Sequence, residues 1–357
     1  MRSYTVLAAR ATMERMSAYA ETLKRGGTAG RYLQRELAGM ETAALAPEML
    51  VDLLLATKVP QIFAESAVSG DGTDWTLEEL RLLGDIGIAM PVTVYDNGLH
   101  SAPQIHEPPF PATLLFVPGA LLRNERNQPP ADWLEATKDG AIDRAGLYRL
   151  YERRLLPALL HADEIATEHG KKALITIPGL GCGQFAGPFR GKLGRELEFA
   201  LKALLETHGK RLSHVTCVYY DPYDECDNTR SRIHGIEFLV RPLTRGNGAR
   251  PQLCRPAAYA EAGDDFSNCE LFSVVAWDHV SWPGNDYYAG ARATDDGVKA
   301  AATTAIGAMT GVEGSYSPTK HGYLPPAPFR TWGDVVVSRG LRIEARGRLR
   351  VLDTEIP

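Results

Sequence analysis

The sequence predicts an α/β protein: a three-layer α/β/α sandwich around a mostly parallel or mixed sheet, preceded by a helical region. Three observations carry that expectation. Beyond about residue 106, apolar runs of strand length alternate with long helical patterns, and buried strands separated by helices call for a sheet covered on both faces. Before that point, apolar residues recur at helical spacings, with turn residues between the segments. Between the two lies a proline-rich joint, HEPPFP, at His106–Pro111.

Taken in order, residues 3–90 read mainly as helices: SYTVLAARATMERMSAYAETLK, TAGRYLQRELAGMETAALA, PEMLVDLLLATKVPQIFAESAV and TLEELRLLGDIG. PVTVYDNGLH then reads as a short hairpin, with Asn97-Gly98 suited to a tight primed turn. The prolines of the joint hold the chain extended, so the expected division is a helical N-terminal region with a short hairpin over 1–105 and an α/β domain over 106–357. In that second part ATLLFVPG is a strand and GLYRLYERRLLPALLHADEIATEHG a helix. ALITIPG is a strand, LGRELEFALKALLETHG a helix, and HVTCVYYD, EFLVRPL and LFSVVAWD are strands. TDDGVKAAATTAIGAM is a helix, and DVVVSRGLRIEARGRLRVL a terminal hairpin or edge pair. The polar run YYDPYDECDNTRSR reads as a connector near the site.

Composition narrows the classes. Hydrophobic residues at 44% and charged residues at 23% are those of a soluble globular chain. A net charge of −5 without a basic stripe gives no reason to expect nucleic acid. The apolar runs are too short for a membrane span, and the N-terminal segment lacks the apolar core and cleavage site of a secretory signal. A cytoplasmic location is the expectation. Five cysteines (Cys182, Cys217, Cys226, Cys254 and Cys269), an odd number without a CxxC pair, read as structural thiols in a reducing compartment.

Two loops stand where ligands bind in such sheets, beyond the carboxyl ends of the strands. The first, IPGLGCGQFAGPFRG over Ile177–Gly191, places four glycines (Gly179, Gly181, Gly183 and Gly187) at a strand-to-helix junction. Glycines let backbone N–H groups approach an anion closely, and a helix N-terminus adds favourable partial charge, so a diphosphate fits. The bland reading is a tight turn alone. GLGCGQ lacks the third glycine of a dinucleotide fingerprint and its downstream acid, which disfavours an NAD- or nucleotide-using enzyme. The second loop, WDHVSWPGNDYYAG over Trp277–Gly290, runs into the ATDDGVKAAATTAIGAM helix. It spaces Asp278, Asp286 and Asp296 eight and ten residues apart among Trp282, Tyr287 and Tyr288. Each member has a bland reading too: Thr294 as an N-cap, Asp295 and Asp296 meeting the helix dipole, Asp286 stabilising a turn. His279 can shuttle protons or be a satisfied strand-end histidine, and Arg292 can meet a phosphate or a neighbouring acid.

Together the loops resemble those of macrodomains, which bind ADP-ribose on an α/β/α sandwich. ITIPGLGCGQFAG looks like the diphosphate loop and WPGNDYYAGARATDDGVKAAAT like the ribose loop running into its helix. Their order is the reverse of the common one, and the asparagine-rich signature has only a partial echo in Asn285, which implies a permuted or divergent member. WDHVSWPGNDYY and RATDDGVKAAAT resemble most the MavL-like macrodomain ADP-ribosylhydrolases, bacterial effector-type enzymes that remove ADP-ribose from arginine-modified ubiquitin. The resemblance spans roughly residues 110–335.

It implies a hydrolase of ADP-ribosylated protein, with ubiquitin as partner and ADP-ribose as ligand. Its location would be the cytoplasm, or a host cytosol if the chain is exported. Asp278, Asp286 and Asp296 are the implied catalytic acids. Cleavage at the anomeric carbon of the distal ribose passes through an oxocarbenium-like state, which a carboxylate stabilises while activating water. Asp286 and Asp296 are assigned to the ribose and the water, and Asp278 to orienting the ribose, the arginine or the adenine amine. Gly179, Leu180, Gly181, Cys182, Gly183 and Gln184 would hold the diphosphate through backbone N–H groups. Phe185 and Trp282 are candidates to stack on adenine or cap the ribose, and Asn285 to contact the ribose. The scheme requires no metal or other cofactor, although three acids can hold Mg²⁺. A reader module that binds ADP-ribose without turnover is the alternative from another class.

Overall fold

One mixed sheet of nine strands runs through the computed structural model, which describes residues 1–62, 73–124 and 129–352. In chain order the strands are β1 (Thr5–Ala9), β2 (Gly87–Asp96), β3 (Ile105–Pro118), β4 (Lys172–Pro178), β5 (Val215–Asp221), β6 (Thr229–Ile233), β7 (Ile236–Val240), β8 (Cys269–Trp277) and β9 (Leu349–Leu352). Across the sheet they stand β9-β1-β2-β3-β8-β4-β5-β7-β6. The block β3-β8-β4-β5-β7 is parallel throughout. Antiparallel pairs flank it, with β2 beside β3 and β6 beside β7. At the far edge β9 lies parallel to β1.

Alternate side chains of each central strand enter different cores, as a two-faced sheet requires. Leu115, Val117, Ile175 and Ile177 pack beneath α5 (Arg144–Glu168) and α6 (Leu193–His208). Leu114, Phe116, Leu174 and Val275 face the other way. Onto them pack α1 (Arg10–Lys24), α2 (Arg31–Leu37), α3 (Pro47–Ala56) and α4 (Leu77–Gly84), together with α7 (Asp295–Ala302), α8 (Ala305–Thr310) and α9 (Trp332–Arg339). The result is the expected α/β/α sandwich.

Several expectations are revised. The segment opening the chain is not helical throughout: TVLAA forms β1, buried on both sides, before α1 begins at Arg10. β1 and β2 are hydrogen-bonded into the main sheet, so the expected divide near residue 105 falls inside the β2–β3 pairing, which runs from Ile88↔Phe116 to Asp96↔Ile105. The hairpin is therefore β2–β3, and Asn97-Gly98 opens a longer connection instead of closing a two-residue turn. The expected helix over PEMLVDLLLATKVPQIFAESAV stops at Ala56, and the part beyond residue 62 lies outside the described residues. DVVVSR is helical in α9, where Thr331 and Asp334 form a capping box and Gly340, at φ 56°, ends the helix. The Ala-rich helix is broken at Thr303–Thr304, because Thr303 bridges Val94 and Thr304 Oγ1 accepts the Thr93 N–H at 2.9 Å. The polar connector supplies an outer strand, β6.

Candidate functional site

The parallel strands β3, β8, β4 and β5 end together at Pro118, Trp277, Pro178 and Asp221. Beyond them opens a cleft of about 480 Å³. Gly179, Cys182 and Gly183 line one wall, Asp221 to Glu225 another, and Ala276, Asp295 and Lys299 the base.

The glycine loop leaves β4 at Pro178. Gly181 sits at φ 74° and packs against the turn after β3, where a Cβ on Gly119 would lie 2.3 Å from the Gly181 nitrogen. Two glycines facing each other are what allow this backbone contact. The buried Tyr151 hydroxyl joins the two turns, donating to Leu180 O at 2.7 Å and accepting the Ala120 N–H at 3.2 Å. Within the loop, Leu180 N–H turns inward to Pro178 O and Cys182 N–H to Gly179 O. Among the described residues, the N–H groups of Gly181, Gly183 and Gln184 take no hydrogen-bond partner. The unpartnered donors are thus a subset of the N–H groups expected to meet an anion. The Leu180 side chain is core, and burial pushes the Cys182 thiol well up. Gln184 Oε1 accepts from Arg123, and half-buried Phe185 meets the His279 ring edge-on at 6.1 Å.

The three sequence-singled acids converge around the N-terminus of α7. Asp278 closes the end of β8, its Oδ1 accepting the N–H groups of Val280 at 2.7 Å and Ser281 at 2.6 Å, and its Oδ2 the Ser281 hydroxyl. Asp286 Oδ2 accepts the N–H groups of Ala293 and Thr294 at 2.7 and 3.1 Å. Asp296 Oδ1 accepts the Gly297 N–H at 2.9 Å and its Oδ2 the Asn285 N–H at 3.1 Å. Between the last two sits the Thr294 hydroxyl, in contact with Asp286 Oδ1 and 2.6 Å from Asp296 Oδ1. One hydroxyl proton cannot serve both carboxylates. Burial raises the Asp296 carboxyl well above its usual range, and the charges of Asp278, Asp286 and Asp295 push the same way, against the Thr294 hydrogen bond. Gly297 makes the arrangement sterically feasible, since a Cβ there would stand 1.8 Å from Asp286 Oδ1. Asp286 is half-exposed, whereas Asp278 and Asp296 are buried.

Other expected members do different work. Trp282 is core: its indole N–H donates to Lys58 O at 3.1 Å and its ring meets Tyr288 edge-on, so it offers no face to adenine. The Asn285 amide is occupied by the backbone of Ile62, accepting its N–H at 2.9 Å and donating to its carbonyl at 3.0 Å, and is not free for the ribose. Arg292 forms a bidentate pair with buried Asp96 at 2.9 and 2.6 Å, not an anion contact. His279 is buried, burial lowers its pKa, and its Nε2 lies 3.6 Å from Asp132 Oδ2.

A second polar set forms the cleft base. Buried Lys299 donates to Val274 O at 2.6 Å, Gln252 Oε1 at 2.8 Å and Asp295 Oδ2 at 3.1 Å. Gln252 Nε2 reaches Asp221 Oδ2 at 3.3 Å, and burial raises the Asp221 carboxyl. The sequence reading gave no role to Lys299, Gln252 or Asp221. Asp221 ends an apolar strand as Asp278 does, and that signal was available. Among the described residues, no group of three or more His, Cys, Asp or Glu is arranged to hold a metal ion, and no helix is long and apolar enough to cross a membrane.

The family model described as macrodomain effector MavL matches residues 4–329 of the chain. The match includes most of the N-terminal region, beyond the span that the two loops alone suggested. No curated protein matches the chain.

Proposed function

The chain belongs to the MavL macrodomain effector family, and we propose that within its ADP-ribose-related function it is a hydrolase that removes ADP-ribose from a protein side chain, arginine-linked as in ADP-ribosylated ubiquitin. One observation carries this reading: Asp286 and Asp296 meet across the Thr294 hydroxyl at the N-terminus of α7, with the Asp278 charge acting on Asp296, and Asp295, the first residue of that helix, lines the cleft together with a glycine loop whose Gly181, Gly183 and Gln184 N–H groups lack partners. An ADP-ribose reader needs the second feature but not the first.

The ligand spans the site from end to end in this reading. The cleft takes the adenosine half, the N–H groups of Gly181, Gly183 and Gln184 take the diphosphate, and the distal ribose meets the acid loop. The bond from the anomeric carbon to the guanidinium nitrogen breaks, leaving oxocarbenium character on the ribose. Asp286, half-exposed where the other two are buried, faces that carbon and takes a proton from the attacking water. Asp296 stands behind it across the Thr294 hydroxyl. A carboxyl whose pKa burial has raised exchanges protons nearer neutrality than a free one. The water oxygen bonds the anomeric carbon, the bond's electron pair leaves with the guanidine nitrogen, and that nitrogen takes up a proton in exchange for the one Asp286 removed from the water. Asp278, held by two N–H groups and a hydroxyl, adds negative field. No metal enters this scheme; Asp286 and Asp296 keep the implied roles at the ribose and the water, while Asp278, buried with its oxygens taken by Val280 and Ser281, acts through its charge instead of orienting the ligand.

The test follows the intact mass of arginine-ADP-ribosylated ubiquitin incubated with the protein. The expected outcome is loss of one ADP-ribose, abolished by Asp286→Ala and by Asp296→Ala while both variants still bind ADP-ribose calorimetrically. Tight ADP-ribose binding without any mass change would replace the hydrolase with a reader.

A further inference from the structure

After α3, residues 57–62 run beside the acid loop as a short strap. Val59 N–H donates to Val280 O at 3.0 Å and accepts in return through its carbonyl from Trp282 N–H at 2.8 Å, a parallel bridge. Lys58 Nζ donates to His279 O at 2.7 Å and reaches Asp278 O at 3.5 Å. The Trp282 indole returns a hydrogen bond to Lys58 O. At the far end, the Asn285 amide pairs with both backbone groups of Ile62, as a strand neighbour would. The strap itself is anchored to the helical region: Trp75 Nε1 donates to Thr57 Oγ1 at 2.9 Å, and that hydroxyl donates to Leu54 O at 2.6 Å.

These attachments bracket the acids. Lys58 holds the backbone at Asp278, and Asn285, which the strap holds, sends its own N–H to Asp296 Oδ2. The loop between β8 and α7 needs such help, because Gly284 and Gly290 sit at φ 96° and 85° and give it conformational freedom of its own. Burying an ammonium group is costly unless its donors are satisfied. Lys58, at 4% exposure, spends its hydrogen bonds on carbonyls of this loop and lies 3.9 Å from the Trp277 ring centroid. Plain packing would be served at lower cost by an apolar side chain.

We propose that the strap is the positioning element of the acid loop, fixing the separation and aim of its carboxylates, so that a segment of the N-terminal region governs turnover at acids to which it contributes no side chain. Lys58, Ile62 and Asn285 are its positioning residues. The kinetic consequence rests on the hydrolase reading, whereas the structural one stands on the contacts alone.

The experiment is a double-mutant cycle. Ile62→Pro removes the strap's N–H donor without altering any residue of the acid loop, and Asn285→Ala removes its partner. Lys58→Met serves as a further single variant that keeps the strap sequence otherwise intact. Hydrogen exchange across residues 277–289 should rise about tenfold in each single variant and no further in the double, the non-additivity expected of one shared contact. In the turnover arm, kcat for ADP-ribose release should fall about tenfold or more while KM and the ADP-ribose Kd stay within about twofold. Thermal melts confirm that the variants are folded, and if Ile62→Pro does not fold, Lys58→Met carries the same two readouts. Unchanged exchange over the acid loop in the strap variants would overturn the proposal. So would an Asn285→Ala variant that weakens ADP-ribose binding when Ile62→Pro does not, because that is the signature of a direct ribose contact. If the wild-type protein releases no ADP-ribose, the hydrolase reading fails, and the exchange result still decides the strap.

Discussion

Asp296 sits in the first turn of α7, buried, with Asp278, Asp286 and Asp295 as negative neighbours. Burial is the larger of the forces raising its pKa, and the positive end of the helix dipole offsets them only in part. The native state therefore binds this proton more tightly than the unfolded chain, in which an aspartate titrates near about 3.9. Linkage then removes stability as pH rises from that ordinary range through the raised native value. Replacing the group by Asp296→Ala abolishes the pH-dependent part while leaving a constant loss from the unpaired Asn285 and Gly297 N–H groups. Urea unfolding should show the wild-type advantage over Asp296→Ala narrowing as pH rises above about 4, the ordinary aspartate range. A gap that widens over the same interval would place Asp296 among ordinary ionised carboxylates and remove the reason for casting it as the proton store behind Asp286.

At the scale of elements, α9 is where local signals competed most openly. Val335, Val336 and Val337 favour a strand by their branching, and the sequence reading followed them. Capping decided otherwise. Thr331 Oγ1 accepts the Asp334 N–H at 3.2 Å, Asp334 Oδ2 accepts the Thr331 N–H at 2.9 Å, and Gly340 supplies the left-handed stop. Thr331→Ala should thus cost about 1 kcal/mol, read as a fall of about 2 °C in the melting midpoint; no change would mean that the contacts of Trp332 and Val335 hold the helix without its cap. The central strands were legible because a strand buried on both faces is apolar throughout, a pattern no surface helix imitates. β1 was not, since TVLAA is equally apolar and merges into the periodicity of α1. In the site, the glycine and acid loops were legible because their composition departs from that of their surroundings. The Asp221–Gln252–Lys299 set was not, because its members come from three distant segments and meet only in space. Asn285 was misread for the same reason: nothing local announces a partner 223 positions away.

For the molecule as a whole, the question is whether the N-terminal region can be separated from the rest. β1 and β2 continue the sheet past β3, so deleting residues 1–105 would take Ile105 from that fourteen-residue strand, leave the rest of it as an exposed edge and strip one face of Leu114 and Phe116. Each such side chain returned to water forfeits about 1.5–3 kcal/mol. Charge adds to the loss. Buried Asp85 accepts from Arg15 at 2.6 Å, from Arg153 at 2.8 Å and from Arg154 at 3.1 Å, and although burial alone would raise its carboxyl, these arginines hold it below the ordinary range. Arg154 in turn donates to Gly119 O at 3.0 Å and pairs with Asp132, whose Oδ2 accepts the Leu121 N–H, so the same network braces the turn against which Gly181 packs. Removing one partner of a buried ionic cluster costs about 3–5 kcal/mol, against a total of about 5–15 kcal/mol for a typical fold. Residues 106–357 expressed alone should accordingly lack a cooperative melt, show weak near-ultraviolet circular dichroism and fail to bind ADP-ribose. A cooperative melt with retained binding would show that the sheet from β3 onward is a self-sufficient domain, and the role of the N-terminal region would then be confined to the strap it lays along the acid loop.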